Sequence, residues 1–236
     1  MRTVTLLGKA LLICTGLLVS PAAALSPVLT PALTAQATKE GDTMSRNTGV
    51  YTWGPYLIKT YTDDIVLKVN SPEVDGIALG TPYERLRYES FLDTFQDMPL
   101  TPDQSAQFAQ KWKNKISFLL YTHSPGPVAQ EEELWQQAYN QGKATETKGR
   151  EHSYLDLYQP ATLTVAGKTL TAKPEIDGPY GDQFTLPAGT PQFRYLGVVH
   201  YTFDLTGLPT SGSVTLNFKD SGGKTYTQKA DLSQLR

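Results

Sequence analysis

The strongest pattern in the chain is an alternation toward its carboxyl end. Phe193, Tyr195, Val199, Tyr201, Phe203 and Leu205 share one parity, and Val214, Leu216 and Phe218 repeat it. A period of two puts such side chains on one face of a strand. Asp220 to Gly223 supplies a turn, so Tyr226 to Leu232 is expected to return antiparallel. Shorter strands are predicted at His152 to Tyr158, Thr162 to Val165 and Thr169 to Ala172, the last two joined through Ala166-Gly167-Lys168. Tyr56 to Tyr61 and Ile65 to Val69 carry the aromatic and β-branched residues of a hairpin, with Thr62-Asp63-Asp64 as its turn. Ile116 to His123 is an apolar run stopped by Ser124-Pro125-Gly126-Pro127, which predicts a buried strand.

Between these strands the period changes. Thr81-Pro82-Tyr83-Glu84 and Thr101-Pro102-Asp103-Gln104 each place a threonine cap, a proline at the first helical position and a Glu or Gln three residues after the cap. Tyr88, Phe91, Leu92 and Phe95 follow the first start at helical spacing, and Phe108, Ala109, Trp112 and Ile116 follow the second. A third helix is expected where Glu131, Glu132 and Glu133 precede the stripe Leu134, Trp135, Ala138 and Tyr139, with Gly142 as its stop. The helices read as an insertion at about 82–141.

The amino-terminal part has a different character. Ala10 to Val19 is uncharged, follows Arg2 and Lys9, and leads into Ser20-Pro21-Ala22-Ala23-Ala24, the anatomy of a secretory signal peptide over residues 1–24. The run is too short for a membrane span. Cleavage is expected after Ala24, with Ala35-Gln36-Ala37 as the alternative. Isoleucine before Cys14 argues against lipidation, and a single arginine argues against a twin-arginine signal. Residues 25–49, rich in Pro, Thr, Ala and Ser without an apolar period, read as a flexible leader, and 50–236 as one β-rich domain.

Nine short predicted strands punctuated by Gly and Pro point to a mainly β protein. An antiparallel two-sheet sandwich is preferred over a β-barrel with attached helices. The stretch Tyr201-Thr202-Phe203-Asp204-Leu205-Thr206-Gly207-Leu208-Pro209, with Ser213 to Phe218 and the Asp220-Ser221-Gly222-Gly223 turn, resembles the end of bacterial exported immunoglobulin-like sandwiches. The resemblance covers under a quarter of the chain and implies the sandwich, not an activity. The cysteine and tryptophan signature of antibody domains is absent.

Composition narrows the chemistry. Cys14 is the only cysteine, so a chain cleaved after Ala24 has none, and thiol catalysis and disulfides go with it. That chain carries 19 basic and 23 acidic residues, a net charge of −4. Nucleic acid is not an expected partner. No nucleophile elbow is present. Asp220-Ser221-Gly222 matches a short aspartic-protease pattern but sits where a hairpin turn is expected, and Gly167-Lys168-Thr169 and Gly223-Lys224-Thr225 lack the rest of a phosphate loop. His123, His152 and His200 lack metal-ligand spacing, and His200 falls on the strand face opposite Tyr201. The consecutive acids Glu131 to Glu133 diverge around a helix and read as a solvated start.

Two binding ideas remain. Pro174 to Pro191 reads as a long loop presenting Asp177, Tyr180 and Asp182, a candidate ligand or Ca²⁺ site; no other cofactor is expected. Tyr51, Trp53, Tyr56, Tyr61, Tyr195 and Tyr201 could stack on sugar rings, although core packing accounts for most of them. Trp53, before Gly54-Pro55, is the candidate exposed anchor. The expected function is binding by an exported protein, in the periplasm, at the cell surface or secreted, to a protein or polysaccharide of the envelope. The alternatives are an envelope-polymer hydrolase using Asp177, Asp182 or His152, and a structural spacer.

Overall fold

The computed structural model describes residues 25–61, 72–144, 151–185 and 188–236. The expected signal peptide and the strand Ile65 to Val69 lie outside them. Among the described residues nine strands form two antiparallel sheets. The first contains β1 (Leu57–Thr60), β2 (Val74–Gly80), β3 (Lys115–His123), β6 (Glu175–Thr185) and β7 (Pro191–Asp204), in the order β1-β2-β3-β7-β6. The second, in the order β5-β4-β8-β9, contains β4 (Ala161–Val165), β5 (Lys168–Ala172), β8 (Ser213–Lys219) and β9 (Thr225–Asp231). The sheets remain separate, so the architecture is sandwich-like and the barrel alternative falls. Strand and helix take nearly equal shares, about 35% and 33%, so strand dominates less than the alternation suggests.

The core lies between the sheets because alternation on both inner faces demands it. Ile116, Phe118, Leu120, Val199, Tyr201 and Phe203 of the first sheet join Leu163, Val165, Val214, Leu216 and Phe218 of the second in one buried cluster. The rings of Tyr201 and Phe218 meet across the interface, with centroids 6.4 Å apart. The alternation ends before Phe193, which is 66% exposed and therefore leaves the expected core stripe. The β4–β5 hairpin turns through Ala166 and Gly167, both at positive φ, as the short loop requires.

Among the described residues four α-helices accompany the sheets: α1 (Pro31–Thr48), α2 (Pro82–Phe95), α3 (Pro102–Lys111) and α4 (Val128–Asn140). Thr81 and Thr101 cap α2 and α3 as expected, and Gln104 completes the capping box of α3. The helices are not one insertion at 82–141, because β3 between them is the central strand of the five-stranded sheet.

Three further expectations are corrected. Residues 25–49 are not a flexible leader: Thr30 caps α1, Gly49 ends it, and Leu25 is buried with its amide on the Leu232 carbonyl. The buried face of α1 is Thr34, Ala37, Gly41 and Ser45, small groups that let its backbone approach α2. His152 to Tyr158 is not a strand: Tyr154–Leu157 forms a 3-10 helix capped by Ser153. Pro174 to Pro191 is not a long loop, since most of it is the edge strand β6. An edge tolerates Pro179, which has no amide to donate.

Candidate functional site

The solvent side of the five-stranded sheet carries the residues that the core does not use. Along β3 and β7 the positions opposite the core are Lys115, Ser117, Leu119 and Tyr121, facing Asp204, Thr202, His200 and Val198. Glu175 and Asp177 of β6 continue that face beside His200 and Val198. Over one end of this surface lie α2 and α3. Gly80 makes the approach of α2 possible: a Cβ there would sit 2.6 Å from both the Arg85 side chain and Ser117 Oγ. The result is a cleft of about 370 Å³, floored by His200 and Thr202, walled by Arg85 and Trp112, and rimmed by Lys111, Lys115, Glu175 and Asp177.

Arg85 dominates the electrostatics. Its guanidinium lies 4.8 Å from the Trp112 ring centroid and 6.0 Å from that of Tyr88, a cation–π arrangement. Nε and Nη1 are buried and have no acceptor among the described residues. The Trp112 indole N–H and the Ser117 hydroxyl beside it share that condition. Burial lowers the Arg85 pKa, with Glu89 opposing the shift. Burial, assisted by the Arg85 charge, pushes His200 down to about 4, so its imidazole is neutral at physiological pH. It then offers one donor and one acceptor.

An aromatic group adjoins this cleft. Trp53 stacks on Tyr88 with centroids 5.4 Å apart and meets Tyr121 edge-on at 5.9 Å, and Tyr51 closes against Trp53 at 5.0 Å. Trp53 is thus half-buried rather than a lone exposed anchor. Tyr51 and Tyr56 are committed instead to a buried pair, Glu84 and Arg87. Tyr195 and Tyr201 belong to the core.

Asp177 and Tyr180 do come together. In a regular strand residues three apart point to opposite faces. Here the register runs from Asp177 opposite Val198 to Tyr180 opposite Leu196, so β6 carries one extra residue and the two side chains share a face. The Tyr180 phenol donates to Asp177 Oδ1, and Tyr180 remains 55% exposed. The Asp177 charge acts on both Tyr88 and His200. Asp182 is separate: it pairs in register with Arg194 and accepts from the Gln183 amide. No cluster of three possible metal ligands occurs among the described residues.

The remaining candidates resolve into structure. His123 is buried with Nδ1 2.8 Å from Asp75 Oδ1, and His152 stacks on Trp135 at 3.6 Å. The three histidines thus occupy separate environments. Asp220-Ser221-Gly222 is the β8–β9 turn: the Asp220 carboxylate accepts from the Lys224 amide and the Tyr226 phenol. A larger groove of about 600 Å³ runs between α1 and α3 past Val28, Leu29 and Leu100. Thr38, Ser90 and Ser105 in its lining are hydrogen-bonded to one another or to backbone, Asp42 and Arg46 pair with each other, and Lys39 and Gln110 complete the polar part of a largely apolar wall.

Of the residues expected from the sequence, Asp177, Tyr180 and Trp53 lie at or beside the cleft, and Asp182 does not. Arg85, Tyr88, Trp112, Tyr121 and Thr202 were not among the candidates. The legible signal was the placement of His200 and Thr202 opposite Tyr201; nothing local marks Arg85 as unpaired. Comparison with family models, curated proteins and solved structures finds no match to this chain.

Proposed function

We propose that this chain is an exported, non-enzymatic envelope protein, a sandwich with an immunoglobulin-like tail, that binds a polysaccharide along the solvent face of its five-stranded sheet. The observation that carries the reading is the continuity of the half-exposed rings of Trp53, Tyr88 and Tyr121 with a polar cleft of about 370 Å³. Sugar rings present apolar faces that stack on aromatic rings and hydroxyls that need polar partners, and this surface offers both. The Ala10 to Val19 run and the small residues after it support export, and the Tyr201 to Phe218 pattern supports the immunoglobulin-like assignment.

The hydrolase alternative calls on Asp177, Asp182 or His152 as acid or base; of these Asp177 lines the cleft, Asp182 lies beside Arg194, and His152 stacks on Trp135. Among the described residues no helix is long and apolar enough to cross a membrane.

The test is binding of the secreted chain to purified envelope polymers, by calorimetry, with reducing ends measured in the same samples. Saturable binding without new reducing ends is expected, weakened about threefold to tenfold by Trp53→Ala. Retention of a protein partner but no polymer would overturn the polysaccharide reading, turnover would overturn the non-enzymatic one, and no binding at all would leave the spacer.

A further inference from the structure

The cleft holds a cation that nothing in the described chain answers. Arg85 makes no hydrogen bond to a described residue, and Trp112 and Tyr88 beside it offer only their ring faces. Asp177 accepts from Tyr180, while Lys115 faces Asp204 in the sheet register, and hydrogen bonds from Thr206, with the Lys115 charge behind them, hold that carboxyl below its usual range. Glu89 acts on Arg85 and on Lys111 without forming an ion pair within bonding distance of either. Buried guanidinium nitrogens without an acceptor are unfavourable unless an anion answers them, and the faces of Trp112 and Tyr88 offset only part of that.

We propose that the Arg85 cleft is an oxyanion-binding subsite, and that the polymer it takes is built from acidic sugars, with the acid group on Arg85. This rests on the polysaccharide reading for the polymer and on the cleft alone for the anion. Arg85 is the charged donor. Neutral His200, the Thr202 hydroxyl and the unpartnered Trp112 N–H are the further donors around the same space. The opposite rim is acceptor-rich, because Glu175 and Asp177 line it. A uniform anion would be repelled by that rim. A sugar that carries one acid group among several hydroxyls matches both sides, giving its oxyanion to Arg85 and its hydroxyl protons to the carboxylates.

Three probes separate the sources of that oxyanion and the two levels of the reading. Polygalacturonate, the same polymer after carboxyl reduction, and dextran sulfate are titrated into the secreted chain at physiological salt. In parallel, sodium acetate, sulfate and phosphate are titrated while the His200 ring resonances are followed. Polygalacturonate is expected to bind about tenfold or more tighter than its reduced form, because a hydrogen bond to a charged group is at stake. Preference for dextran sulfate over polygalacturonate would assign the acid as sulfate rather than carboxylate and still support the anion site. Small oxyanions should raise the His200 pKa in the wild type by screening the Arg85 charge.

Arg85→Gln should lose the preference for acidic polymer and the response of His200 to small oxyanions. Arg85→Lys should keep part of both. Lys168→Gln, exposed on β5 of the other sheet, should change affinity less than about threefold. If Arg85→Gln does not fold, the wild-type comparison of acidic with reduced polymer and the His200 titration still decide. Equal binding of acidic and reduced polymer, with a silent His200, would overturn the oxyanion subsite and leave the polysaccharide reading standing. Response to small oxyanions without binding of any polymer would do the reverse. Silence in both experiments would overturn both.

Discussion

The Ser221 hydroxyl donates to Glu73 Oε2 at 2.5 Å and its amide reaches Oε1 at 3.3 Å, so one buried carboxyl joins the turn after β8 to the entrance of β2. The two elements belong to different sheets, and the contact is a clasp across the sandwich. Asp220 and the phenol of Tyr158 also face Glu73. Burial therefore pushes its pKa up to about 7.

The sign of the pH dependence follows from that clasp. A carboxyl raised from 4.5 to about 7 binds its proton more tightly in the native state, so its stabilising effect is present below pH 4.5 and is lost as pH rises through 7. His200, depressed from 6.5 to about 4, acts oppositely: its contribution is present above 6.5 and is lost as pH falls through 4. The two oppose each other from 4.5 to 6.5, and Glu73 prevails above. Urea denaturation is expected to show the wild type losing stability from about pH 6.5 to about 8. Glu73→Gln should make that limb shallower by about 1 kcal/mol, the part of the shift left between pH 6.5 and 8, while Glu84, also pushed up to about 7 by burial, carries the rest. An equally steep limb in the variant would refute the assignment.

Glu84 and Arg87 pair on one face of α2, with Nε–Oε2 2.8 Å and Nη2–Oε1 2.9 Å. Tyr51 donates to the same carboxylate at 2.5 Å, and Arg87 also reaches the Thr52 carbonyl. The Glu84 carboxylate holds the Arg87 guanidinium more firmly charged than usual. Removing one partner leaves a buried charge, so Glu84→Ala should cost about 3–5 kcal/mol, whereas Tyr51→Phe should cost about 1 kcal/mol. Joint replacement of Glu84 and Arg87 by methionine should recover most of the loss. A double-mutant cycle by denaturation measures the coupling, and simple additivity would contradict it.

Gly41 sets the distance between α1 and α2. A Cβ at this position would lie 2.1 Å from the Arg87 carbonyl oxygen and 2.9 Å from the Phe91 nitrogen, both backbone atoms that cannot swing aside. Gly41→Ala should therefore destabilise the chain by about 1–3 kcal/mol despite alanine's better helix propensity. Ala35→Ser, on the exposed side of α1, should be nearly neutral. Limited proteolysis within residues 31–48 reports directly on whether α1 has detached.

Maturation can be checked against the same helix. Leu25 is buried and bonded to Leu232, and Ala37 is fully buried in the middle of α1. Cleavage after Ala24 leaves every described residue in place, whereas cleavage after Ala37 cuts the helix in two. Under the proposed export, mass spectrometry of the mature chain is expected to give an amino terminus at Leu25; a terminus at Thr38 would overturn this.

The legible parts of the fold were those whose cause is local. Thr81-Pro82 and Thr101-Pro102 start helices because cap and proline act within one turn, and β7 to β9 follow an alternation that needs only two layers to bury it. Helix α1 escaped because its buried face is made of Thr34, Ala37, Gly41 and Ser45, which hydropathy reads as indifferent. Strand β6 escaped because Gly178-Pro179 punctuates it, and a bulge at the sheet edge absorbs that punctuation.

The site divides the same way. Alternation by itself determined that His200 and Thr202 point away from the core, and the residue types made Asp177, Tyr180 and Trp53 worth attention. Only the tertiary structure decided that Arg85 and Trp112 close over them, that an extra residue in β6 turns Tyr180 onto Asp177, and that Asp182 is left out. Period and capping act over a few residues of one segment. An unanswered charge is a property of everything packed around it, and that surrounding is assembled from α2, α3, β3, β6 and β7 only when the chain folds.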